Sequence, residues 1–151
     1  MGFLITCLNE NCALKNTWAQ NIVDLITNHR DTKGYFKCAC GSNGYIEKNF
    51  KAQEKDGTWN PFLRGIIVLG VDDEYYQPFV YLVSTTPSGE IDATWFAYYK
   101  DTREEEGGRL KMGYGPGGPP VLGKEELKLL LKTLNDINYF TKEDFMEVSR
   151  Q

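Results

Sequence analysis

A chain of 151 residues with 41% hydrophobic and 25% charged residues has globular composition and enough length to bury a core. Its net charge of −4 is uneven, seven Lys/Arg against six Asp/Glu over residues 1–60 and ten against fifteen over 61–151, so neither part has the basic excess of a dedicated phosphate-backbone binder. No apolar stretch approaches the ~18 residues of a membrane span, and no basic segment with a long apolar core opens the chain as a secretory signal would. The expectation is a cytoplasmic protein with no membrane association.

The first elements are organised around cysteine. Cys7 and Cys12 lie four residues apart in "ITCLNENCAL", and Cys38 and Cys40 flank one alanine in "YFKCACGSNGYI", twenty-five residues later. A tetrahedral zinc ion takes four soft ligands from two tight turns, and Gly41 after the second pair frees the backbone to curl beneath a metal. Tyr35-Phe36 and Tyr45-Ile46 are strand-like, which puts Cys38 and Cys40 at the tip of a hairpin. Two other readings of the thiols stand beside metal binding. One is disulfides running across the two pairs, which a reducing compartment disfavours. The other is four unrelated buried thiols packing as small hydrophobes.

Over the first fifty residues this arrangement resembles a zinc ribbon, in which two cysteine knuckles face each other. The usual knuckle spacing is two residues, and here it is four and one. The resemblance implies a structural Zn2+ held by Cys7, Cys12, Cys38 and Cys40. Between the pairs, Ile22, Leu25, Ile26 and His29 recur at helical spacing, with Thr17 and Gln20 as a capping-box start. His29, the only histidine, reads either as a replacement ligand or as the exposed last turn of that helix.

From Arg64 onward the pattern becomes strands: "RGIIVLGV", "QPFVYLVSTT" and "EIDATWFAYYK". Short connections leave no room for crossover helices and predict an antiparallel meander. Asp72-Asp73-Glu74 reads as a solvated loop. Trp95, Phe96, Tyr98 and Tyr99 place aromatics on both faces of one strand, as core and interface or as a stacking surface. Residues 101–123 hold seven glycines and three prolines and read as a loop whose part from Tyr114 to Leu122 packs in an extended form. Its G-x-G-x-x-G match runs into Pro119-Pro120 rather than into a helix, so it is no dinucleotide fingerprint. Leu127, Leu130, Leu131 and Leu134 then form a helix stripe. A second helix is capped by Thr141 and Asp144, with Phe140 stapled onto Phe145.

The fold class is therefore α+β, with a zinc-ribbon-like module over 1–60 carrying one inserted helix. Over 61–151 lie an antiparallel meander, the glycine-rich loop at 101–123 and a carboxyl-terminal helical hairpin. The expected function is a small zinc-stabilised binding or adaptor protein that acts through protein–protein contacts, with another protein or a copy of itself. A second reading is a weak nucleic-acid-binding module using Lys48, Lys51, Lys55 and Arg64 with Trp59 and Phe62. A third is an enzyme with its site under the glycine-rich loop; no catalytic residue is assigned, because no nucleophile–base pair is visible.

Overall fold

The computed structural model describes residues 2–48, 61–70, 76–113 and 122–149. Among the described residues seven strands form one antiparallel sheet: β1 (Phe3–Cys7), β2 (Asn16–Ala19), β3 (Gly44–Glu47), β4 (Phe62–Val68), β5 (Tyr76–Ser84), β6 (Ala93–Asp101) and β7 (Leu110–Gly113). Their order across the sheet is β2-β1-β3-β4-β5-β6-β7. Three helices lie among the described residues, α1 (Ile22–Asn28), α2 (Lys124–Asp136) and α3 (Lys142–Val148). The α+β class and the meander from β4 to β6 match the pattern read from sequence, and the sheet continues through β3 into the cysteine-bearing strands.

Alternation of side chains sorts the strands onto two cores. On one face Ile5 of β1, Leu63 and Ile66 of β4 and Phe79 and Tyr81 of β5 pack with Ile22 and Leu25 of α1. On the other, Ile67 of β4, the adjoining Leu69, and Val80 and Leu82 of β5 meet Leu130 and Leu134 of α2. β4 and β5 are thus covered on both sides, which explains why they read as unbroken apolar runs. Aromatic rings consolidate the first face: Phe79 meets Tyr81 edge-on at 5.1 Å, and Trp95 lies 5.4 Å from Tyr81. On the opposite side of β6, Phe96 remains 37% exposed.

β4 pairs with β3 only through Leu63 and Phe62, then bulges at Arg64. Beyond the bulge its edge is taken by Gly34–Phe36: Phe36 N donates to Arg64 O at 2.9 Å and Ile66 N to Gly34 O at 2.8 Å. Two backbones touch here. A Cβ on Gly65 would sit 2.4 Å from Gly34 O, and one on Gly34, whose φ is +92°, 2.7 Å from Ile66 O. Glycine is required at both positions by this approach.

Four local expectations are corrected. Thr17 is not the cap of α1; it lies in β2, and Asn21 caps the helix through bonds to the Val23 and Asp24 amides. Asn21 wins because its side chain sits two residues before the first free amides, where an Asx oxygen reaches them. Within 101–123, Leu110–Gly113 is not loop but a strand hydrogen-bonded to β6. Leu127 and Leu131 of the leucine stripe are about half exposed, because α2 meets the sheet along Leu130 and Leu134. Arg64 is not a surface cation: it is 7% exposed and donates from Nη1 to Gly89 O at 2.7 Å. The Asp72–Glu74 loop, the segment from Tyr114 to Val121, and Lys51, Lys55 and Trp59 lie outside the described residues.

The capping-box reading of α3 holds, with Thr141 and Asp144 bonded reciprocally and the Phe140 and Phe145 rings 5.7 Å apart. No helix among the described residues is long and apolar enough to cross a membrane.

Candidate metal centre

Two turns bring the four cysteines together. The first leaves β1 at Cys7, tightens through Cys12 N to Asn9 O (3.0 Å), and returns to β2 by Cys7 N to Lys15 O (2.8 Å). The Asn9 side chain closes it further by accepting from the Asn11 amide at 3.0 Å. In the second turn Gly41 N donates to Cys38 O at 2.8 Å and Cys38 N to Ser42 O at 2.9 Å, with Gly41 at φ +88°. That is the hairpin tip expected from the flanking aromatic residues. Leu8 N to Asn43 O (2.9 Å) ties the two turns to each other.

The four Sγ atoms all lie within 4.8 Å of one another. Cys7 Sγ is 3.5 Å from Cys40 Sγ, and Cys12 Sγ is 3.8 Å from Cys38 Sγ. Thiolates at a zinc–sulfur distance of about 2.3 Å on a tetrahedron stand about 3.8 Å apart, so both separations are close to a tetrahedral edge. They are much longer than a disulfide bond of about 2.05 Å, and all four cysteines are free. Cys12 and Cys38 are buried while Cys40 is exposed. Such a site has an inner half walled by protein and an outer half at the surface.

Thr17, absent from the sequence-derived site, is the residue that joins the turns. Its hydroxyl oxygen accepts from the Ala39 amide at 2.8 Å and lies 3.4 Å from Cys38 Sγ as donor. The signal was present in "NTWA", where alternation with buried Ala19 turns Thr17 to the cysteine side. The same residues also fit a helix-cap pattern.

The thiols ionise unequally. Burial, reinforced by the neighbouring thiols, pushes Cys7 up to about 12. The Ser42 side chain and amide pull Cys40 down to about 6. At Cys38 burial opposes ionisation, but the Cys40 amide and the Thr17 hydroxyl outweigh it and the value falls below that of an ordinary thiol. Without a cation the cluster therefore carries negative charge at its exposed end, and ionising all four sulfurs calls for a positive ion among them.

His29 stands at the C-cap of α1, with Nε2 3.5 Å from an Asp24 carboxylate oxygen, and is not part of the cysteine cluster. Phe62 stacks edge-on with Tyr45 at 5.4 Å. Burial lowers the pKa of Lys48. Comparison with family models, curated proteins and solved structures finds no match to this chain.

Proposed function

We propose that the protein is a small zinc-stabilised binding or adaptor protein that works through protein–protein contacts. In this reading the first fifty residues are a zinc-ribbon-like module, and Cys7, Cys12, Cys38 and Cys40 hold a structural Zn2+. Four sulfurs leave a tetrahedral ion no open position for water, which makes the metal structural rather than catalytic. A four-thiolate site of this kind belongs in a reducing compartment, hence the cytoplasm.

The contact function rests on the carboxyl-terminal hairpin. α3 is capped at its start, yet none of its residues is buried. Phe145, Met146 and Val148 are 61%, 56% and 72% exposed, and Leu131 of α2 is 52% exposed. A seven-residue helix is marginal in water on its own, and clustered exposed apolar side chains mark an interaction surface. Phe and Met at such a surface supply the rigid and adaptable contact area that protein interfaces favour. The partner is another protein or a second copy of this chain.

A nucleic-acid reading has less support. Its cationic stretch loses Arg64 to the interior, and each lost cation removes a phosphate contact. Two measurements separate the readings: sedimentation at micromolar concentration, and fluorescence titration with single- and double-stranded oligonucleotides at physiological salt. Self-association that Phe145→Asp abolishes, without oligonucleotide binding, is the expected result. A strict monomer that binds an oligonucleotide at sub-micromolar affinity overturns the proposal.

A further inference from the structure

A half-open cleft of about 170 Å3 lies between the end of α1, the Asp31–Gly34 turn and α2. Arg30, Thr32 and Lys33 form one wall, Leu129 and Thr133 the other, and Val68 of β4 contributes to the floor. Among the described residues neither Arg30 nor Lys33 forms an ion pair.

Arg30 is held in place before any ligand arrives. Its Nε donates to Ile26 O at 2.8 Å, and its terminal nitrogens have no hydrogen-bond acceptor among the described residues. Burial lowers its pKa, as expected of a guanidinium short of counter-charge, and the Asp31 charge works in the other direction. Asp31 is occupied elsewhere. One carboxylate oxygen accepts from the Lys33 and Tyr35 amides at 2.9 and 3.0 Å, and the other lies 3.4 Å from Lys37 Nζ.

The turn that presents Thr32 and Lys33 is fixed to β4. Gly34 N donates to Asp31 O at 3.0 Å, and Gly34 O accepts from Ile66 N at 2.8 Å. The facing wall is apolar, because the Thr133 hydroxyl is already given to Leu129 O at 2.9 Å. One side of the cleft therefore offers two cations and the Thr32 hydroxyl, and the other offers hydrocarbon.

We propose that this cleft binds a phosphate monoester with a small apolar body, its dianionic head between Arg30 and Lys33 and its body against Leu129 and Val68. Two cations match a dianion better than a single carboxylate, and a guanidinium with both terminal nitrogens open can grip two phosphate oxygens at once. The site lies outside the cysteine cluster and does not depend on the protein-contact reading.

The test is a titration of the 15N-labelled full chain, prepared with zinc, using phenyl phosphate as probe and inorganic phosphate in parallel. The expected result is saturable amide shifts centred on Thr32–Gly34 and Leu129–Thr133, with phenyl phosphate tighter than phosphate. Arg30→Gln should weaken binding about tenfold or more, the weight of a charge-assisted bidentate contact. Lys33→Gln should weaken it several-fold, and Lys111→Gln on β7 should leave it unchanged. If Arg30→Gln loses the dispersed spectrum of the fold, Lys33→Gln decides, since that side chain is at the surface. Shifts that rise linearly without saturation, that centre elsewhere, or that Lys33→Gln leaves untouched overturn the proposal.

Discussion

Thr17 shows how much a single hydroxyl can do in a site made of turns. It bonds one amide of the second cysteine turn and one sulfur of the cluster, so it would orient the ligands of the proposed zinc without binding the ion itself. Outer partners of this kind are worth about 10- to 100-fold in metal affinity. Thr17→Val should therefore weaken zinc binding by about that factor in competition with a chromophoric chelator, and Thr17→Ser should restore most of it. Equal affinity in Thr17→Val and the parent would remove the residue from the site. The thiols give a second test at this scale. Cys7 lies far above its ordinary value and Cys40 below it, so at neutral pH metal must displace the Cys7 proton. Affinity then rises with pH, with proton release on binding, and calorimetry in buffers of different ionisation enthalpy reads that release directly. The four cysteines were legible from their pairing alone. Thr17 was not, because a threonine before a helix satisfies the cap pattern and the strand pattern equally well, and only the distant Ala39 amide decides between them.

The elements were legible where one periodicity ruled. The runs that became β4 and β5 are buried or half-buried along their length, β6 exposes only Phe96 and Lys100, and nothing competes with a strand there. Leu110–Gly113 was illegible because its order comes from β6, its pairing partner, and not from its own glycine-flanked composition. α2 follows its heptad only in part, since the sheet accepts Leu130 and Leu134 and leaves Leu127 and Leu131 about half out. α3 makes the sharpest prediction at this scale. Its cap relies on Asp144, whose carboxyl is held below its usual range by the Thr141 amide and hydroxyl. A carboxyl depressed in the folded state stabilises above its unfolded pKa of about 4 and loses that contribution as pH falls through the folded value. Protection of the Glu143–Val148 amides, taken relative to their intrinsic exchange rates, should fall below about pH 4 while β5 stays protected. Protection in α3 that is indifferent to pH there would show that the capping box does not hold the helix.

At the scale of the whole molecule, two segments far apart in sequence share one sheet and one face of its core, and the joint runs through the short β3–β4 pairing and the Gly34–Gly65 contact. Gly34→Ala puts a side chain against Ile66 O at positive φ, and about 1–3 kcal/mol of destabilisation is expected from strain of that kind. A chemical denaturation midpoint unchanged in Gly34→Ala would mean that the joint relaxes freely. The cysteine turns lie beyond this joint, held to each other by few backbone bonds and by Thr17, and in the proposed reading a metal is the further tie. Structural zinc in small modules contributes on the order of 10 kcal/mol to folding, so its removal should unfold the region around the two turns. Elemental analysis of protein purified without chelator tests the zinc site most directly. One zinc per chain, lost together with the ordered amide signals of Cys7–Cys12 and Cys38–Ser42 on chelation, is the predicted result. Metal-free protein with four titratable thiols and those same signals intact would contradict it.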